Sequence, residues 1–109
     1  MGRTKMDMEQ FRKTIGKGVI LVNFHANWCA PCRVQEPIIK KMADTYQNRA
    51  VIIDIDTDTQ GILATEYRVQ SIPTLILFKG GKEIKRFVGL QSETTITNGL
   101  KNALPGRDQ

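Results

Sequence analysis

The sequence predicts an α/β domain in which a central mixed β-sheet is flanked by helices on both faces. Three observations lead there. Val19–His25 (VILVNFH) and Ala50–Ile55 (AVIIDI) are nearly continuous apolar, β-branched runs, the pattern of strands buried on both faces. Apolar residues at helical spacing occupy the segments before and between them. Gly80-Gly81 lies between the runs Thr74–Lys79 and Lys82–Val88, which marks a hairpin in the second half. A chain of 109 residues makes a single domain over 1–109, with one modest core.

Each element has its own warrant. Asp7 caps a first helix running to Lys17, with Gln10 three residues on and Met8, Phe11 and Ile15 on one face. Gly16 and Gly18 stop it. In the strand that follows, Val19, Leu21, Asn23 and His25 share a face. A second helix opens near Pro31, repeats Val34, Ile38, Met42 and Tyr46, and runs to about Gln47, with a kink expected at Pro37. Asp54 lies on the Ala50 and Ile52 face of the next strand, opposite Val51, Ile53 and Ile55. Gln60–Tyr67 is a short helix. Ser92 caps the last helix, whose apolar positions are Ile96, Leu100 and Leu104; Asn98-Gly99 within it costs about 1 kcal/mol of helix preference.

Composition excludes several classes. With 40% hydrophobic and 25% charged residues, the chain is neither a disordered tail nor a fibrous protein. No apolar run is long enough to cross a bilayer, and the polar start, Met1 to Gln10, shows no apolar leader, so the cytoplasm is the expected location. The net charge of +5 invites a nucleic-acid reading. The basic residues are scattered, however, and aromatics are only 6%, too few for a stacking platform. A mildly basic surface fits steering of acidic protein partners.

The informative segment is Trp28-Cys29-Ala30-Pro31-Cys32, between a buried strand and a helix. These are the only 2 cysteines, so their spacing reads as redox chemistry or half a metal site. Cys29 falls at a helix N-terminus, where free N–H groups and the dipole favour an anion. The thiolate is the nucleophile of disulfide exchange, and this position lowers the thiol pKa. Cys32, one turn on, can reach the Cys29 sulfur. Pro31 suits a first turn, where no N–H is needed. Trp28 can cover one side of the sulfur. Lowering a thiol pKa from ~8.5 to ~7 gains roughly 16-fold in thiolate. Lower intrinsic nucleophilicity removes about fivefold of that, leaving ~3-fold. Most of the rate must therefore come from substrate docking and from the second thiol attacking intramolecularly.

Over almost its whole length the chain resembles the thioredoxin family. The resemblance rests on the WCAPC segment after a buried strand, Pro37, Ser71-Ile72-Pro73-Thr74, Phe78-Lys79-Gly80-Gly81, and Gly89. It implies a thioredoxin fold and a protein-disulfide reductase carrying electrons through a Cys29/Cys32 dithiol. Cys29 would attack, and Cys32 would resolve the mixed disulfide. A cis Ile72–Pro73 bond would lie beside the cysteines, at a cost of only ~0.5–1 kcal/mol. Trp28, Ala30, Pro31, Ile72, Pro73 and Gly89 would form the substrate-binding surface. Asp58 corresponds to a family acid that can accept the Trp28 indole N–H; a solvated carboxylate or helix cap is the plainer reading. Re-reduction would come from a thioredoxin reductase or equivalent donor, with disulfide-containing proteins as substrates, a monomeric state and no bound cofactor.

The departures are specific. Ala30 stands where the family usually has Gly, and His25 where it usually has a second Trp. Asn23 occupies the place of the family's buried aspartate, and Asp54 that of a lysine on the neighbouring strand. Asn23 cannot act as a base, so the carboxylate is inferred to have crossed the strand pair. Asp54, desolvated beneath Cys32, would take the Cys32 proton through Asn23 or a water. The plainer alternative is a hydrated Asp54 and proton loss to bulk water. His25 is first a packing residue; as a cation near Cys29 it would lower the thiol pKa.

Other functions compete. A thiol oxidase or isomerase on the same fold would differ in reduction potential. A zinc module would have Cys29, Cys32 and His25, at most three ligands, and no second C-x-x-C. A non-catalytic binding subunit would use the apolar surface at Trp28, Ile72 and Pro73.

Overall fold

The computed structural model describes residues 6–105. Residues 1–5 of the polar N-terminal segment and residues 106–109 of the single-domain expectation lie outside the described residues. The elements run α1 (Met8–Ile15), β1 (Val19–His25), α2 (Ala30–Thr45), β2 (Ala50–Asp56), α3 (Gly61–Glu66), β3 (Thr74–Lys79), β4 (Lys82–Val88) and α4 (Glu93–Ala103). Every predicted element is present. Their ends differ by one or two residues at most.

Local chemistry fixes the ends. Asp7 and Gln10 form a reciprocal capping box at α1, each side chain accepting from the other's backbone N–H. Ser92 accepts from the Thr95 N–H at the start of α4. Gly80 and Gly81 both take positive φ (59° and 88°), as a tight hairpin turn between β3 and β4 requires. The helix α2 continues through Pro37.

The four strands are ordered β2-β1-β3-β4. β1 pairs parallel to β2 and antiparallel to β3, and β3 pairs antiparallel to β4, so the sheet is mixed as expected. One face is covered by α2 and α4, where Leu21, Ile39, Met42, Leu75, Leu77 and Leu100 meet. The other face carries α1 and α3, packed through Phe11, Ile15, Val22, Phe24, Leu63 and Ile76.

Two expectations about burial need correcting. The buried stripe of α2 is Cys32, Gln35, Ile39 and Met42, while Val34, expected on the apolar face, is exposed, because the 3.6-residue period drifts from a strict spacing of four. β2 is not buried on both faces: it is an edge strand, with only Ile55 fully buried and Val51 half exposed. Its apolar run resembles β1, yet position in the sheet decides burial. The doubly buried strands are the central β1 and β3.

Candidate active site

The site is built where the carboxyl end of β1 meets the start of α2. β1 delivers the chain through Ala26, Asn27 and Trp28, and Cys29 is the N-cap of α2, with extended φ/ψ of −89° and 110°. Its sulfur accepts the backbone N–H of Cys32 at 3.3 Å, one of the free donors at a helix start. Pro31 sits in the first turn, as its lack of an N–H allows. Cys29 and Cys32 are joined as a disulfide, with Cα atoms 5.2 Å apart. Both are buried, packed with Ala26 and against Ile72. Cys29 Sγ also stands 3.8 Å from the Ile72 carbonyl oxygen. The Ile72–Pro73 bond is cis, as the resemblance implied.

Around the buried sulfurs lies an open rim. Trp28 is 68% exposed, while Ala30 and Pro31 are also at the surface. The indole Nε1–H donates to Asp58 Oδ2 at 2.9 Å, the bond that the family resemblance implied for Asp58. Gly89, with φ of +88°, donates its N–H to the Pro73 carbonyl at 2.8 Å. The loop after β4 is thereby fastened to the cis-proline loop. All six residues expected to form the substrate surface thus lie on segments that converge on the cysteines.

Beneath Cys32 is a cavity of about 200 Å3, lined among others by Asn23, His25, Cys32, Glu36, Lys40 and Asp54. Asn23 faces α2 because it shares the Val19 and Leu21 face of β1. In the parallel register it stands directly opposite Asp54. Its Nδ2 donates to Asp54 Oδ1 at 3.0 Å. Asn23 is 5% exposed, and its Oδ1 is buried without a protein hydrogen-bond partner among the described residues. Asp54 itself is exposed, because β2 is the sheet edge. The pairing of Asn23 with Asp54 therefore holds, but the desolvation expected of Asp54 does not. His25 is half-buried on the same cavity wall.

Sequence reasoning missed Gln35. It is completely buried on α2 and bonded to the loop after β4. Its position falls on the helical stripe Cys32, Gln35, Ile39, Met42 and Tyr46, so a polar residue in that stripe was the signal that could have found it. Among the described residues no group of three or more His, Cys, Asp or Glu could hold a metal ion, and no helix is long and apolar enough to cross a membrane.

Comparison with known proteins agrees with this geometry. The thioredoxin family model matches residues 3–102. A thioredoxin from Staphylococcus epidermidis is 36% identical over 104 residues, which span 95% of this chain and 100% of that protein. A bifunctional thioredoxin reductase/thioredoxin from Mycobacterium leprae is 37% identical over 86 residues, 79% of this chain but only 19% of that longer protein. Among solved structures, a variant thioredoxin from Halobacterium salinarum superposes with a TM-score of 0.83 at 32% identity, covering 92% of this chain and 88% of that one. With a four-stranded mixed sheet, a helix-capping disulfide of the WCxPC type and a family match along nearly its whole length, this chain belongs to the thioredoxin family of thiol–disulfide oxidoreductases.

Proposed function

We propose that this chain is a protein-disulfide reductase in which Cys29 is the attacking thiol and Cys32 the resolving one. One observation carries the assignment: the Cys29 sulfur caps α2 and accepts the Cys32 N–H at 3.3 Å. That donor and the helix dipole stabilise negative charge at Cys29 more than at Cys32, which lies inside the first turn.

The reaction balances as two exchanges. The Cys29 thiolate attacks one sulfur of the substrate disulfide, forming a mixed disulfide and releasing one substrate thiolate. Cys32 loses its proton and attacks the Cys29 sulfur, breaking the mixed bond and releasing the second substrate thiolate. The protein is left with the Cys29–Cys32 disulfide, two electrons poorer. A flavoprotein thioredoxin reductase or an equivalent dithiol donor returns them. The fusion of a reductase to a thioredoxin in the Mycobacterium leprae relative supports a partner of that class.

Substrate is held at the rim. Ile72 offers backbone to an extended segment and Gly89 a carbonyl that can accept a second bond, while Trp28, Ala30 and Pro31 supply surface beside the sulfurs and the buried Pro73 holds the Ile72 backbone there. Asp54, steadied by Asn23 over the cavity it shares with Cys32, receives the Cys32 proton. The protein works as a monomer in the cytoplasm, a reducing compartment that suits a reductase.

The test is trapping. With an insulin disulfide as substrate, Cys32→Ser accumulates a mixed disulfide through Cys29, and Cys29→Ser accumulates none. The opposite pattern would reverse the two roles. Failure of the wild-type protein to reduce insulin would overturn the reading.

A further inference from the structure

Gln35 is completely buried, yet it carries a polar side chain on the core face of α2, one turn after Cys32. A buried amide costs free energy unless its oxygen and nitrogen are both paired. Both are. Gln35 Oε1 accepts the Gln91 backbone N–H at 2.8 Å, and Gln35 Nε2 donates to the Gln91 backbone carbonyl at 3.0 Å. The side chain thus meets Gln91 as a neighbouring strand would, through one donor and one acceptor.

The bonds continue outward. Gln91 Nε2 donates to the carbonyls of Val88 and Gly89, both at 3.1 Å. Gly89 in turn donates to the Pro73 carbonyl at 2.8 Å. Pro73 is joined to Ile72, whose carbonyl stands 3.8 Å from Cys29 Sγ. The hydrogen bonds run from Gln35 to Pro73, and packing of Ile72 against Cys29 brings the path back to the start of α2. It joins the three segments of the rim: the cysteine helix, the cis-proline loop and the loop carrying Gly89.

An apolar side chain of similar length would fill the same space without ordering the loop. The paired amide fixes where that loop stands relative to α2, since a buried amide with both groups satisfied favours one arrangement. We propose that Gln35 is a positioning residue for substrate docking: through Gln91 it sets the spacing between the Gly89 backbone and the Cys29 sulfur, and so the fit of an extended disulfide-bearing polypeptide. This rests on the reductase reading above. Gln35 touches neither sulfur nor substrate, so its effect is confined to substrates large enough to span the rim.

The experiment compares two disulfides. Insulin is turned over with dithiothreitol as reductant. Dithiobis(nitrobenzoate) is mixed in stopped flow with pre-reduced protein freed of dithiothreitol, which would itself cleave the small disulfide. Insulin spans the rim; dithiobis(nitrobenzoate) needs only the sulfur. In Gln35→Leu, the KM for insulin rises by about fivefold, the scale of a lost buried hydrogen-bonding pair, with kcat little changed. The rate with the small disulfide stays within about twofold. Gln91→Ala keeps the backbone groups that meet Gln35 but loses the two bonds to Val88 and Gly89, and gives a smaller rise in the same direction. It also decides the matter if Gln35→Leu fails to fold. An unchanged insulin KM in the folded variants, or equal losses on both disulfides, overturns the inference. Inactivity of the wild-type protein on insulin would instead sink the reductase reading.

Discussion

Asn23 and Asp54 stand opposite each other on adjacent parallel strands, and the amide Nδ2 donates to the carboxylate Oδ1 at 3.0 Å. The amide is buried and the carboxylate reaches solvent. Both border the cavity under Cys32. The proposed transfer of the Cys32 proton to Asp54 would run across this cavity, and the exposed carboxylate would pass the proton on to solvent. Asp54→Asn is therefore expected to slow resolution of the mixed disulfide. A positioned general base contributes up to ~10²–10⁴-fold, and competition from bulk water at an exposed group leaves about tenfold. Single-turnover kinetics between pH 6 and 8 measure it. Equal rates for the two proteins would mean that water alone takes the proton.

Trp28 and Asp58 are the second informative pair. The indole is the only tryptophan in the chain, so its emission reports one environment. Asp58→Ala removes the acceptor 2.9 Å from Nε1. The expected result is a more mobile indole, seen as lower fluorescence anisotropy, with stability changed by less than about 1 kcal/mol because the bond is exposed. Unaltered anisotropy would show that packing, not Asp58, holds the ring.

Gly99 in α4 looks like a weakness in the helix. A Cβ built there would lie 2.8 Å from the Phe87 ring carbon Cζ, and that ring is buried. Gly99→Ala gains about 1 kcal/mol of helix preference. Forcing a methyl against the ring costs ~1–3 kcal/mol. The net expectation is a loss of about 1 kcal/mol, or a fall of roughly 5 °C in Tm. A higher Tm in thermal denaturation would contradict it.

Glu83 and Arg86 form a two-bond pair on β4, at 2.7 and 2.8 Å. The hydrogen bonds from Arg86 hold the Glu83 carboxyl below its ordinary pKa, outweighing a small opposing effect of burial. A carboxyl lowered in the folded state adds stability above its unfolded pKa and loses it as pH falls through the folded value. Because the pair is near the surface, its worth is a few tenths of a kcal/mol. Glu83→Gln should therefore lower stability slightly at pH 7, with the difference from wild type disappearing near pH 2. Urea unfolding at both pH values tests this. A difference that persists in acid would rule out the ion pair as its cause.

The sequence by itself determined the order and type of the elements, because helical spacing, capping residues and the Gly80-Gly81 turn are local signals. It also located the cysteine pair at a helix start, since a strand followed by Pro31 and an amphipathic run leaves few other placements. It could order Asn23 and Asp54 onto faces, because side chains alternate along a strand. Tertiary structure alone decided what those faces meet. Ala50–Asp56 became an edge strand, and Asp54 stayed wet, because burial depends on which strands flank which. The Gln35 to Gln91 bonds join residues 56 positions apart, and no periodicity announces a partner that distant. Local rules bias each residue's own backbone; only the closed fold sets which polar groups must find one another once water is gone.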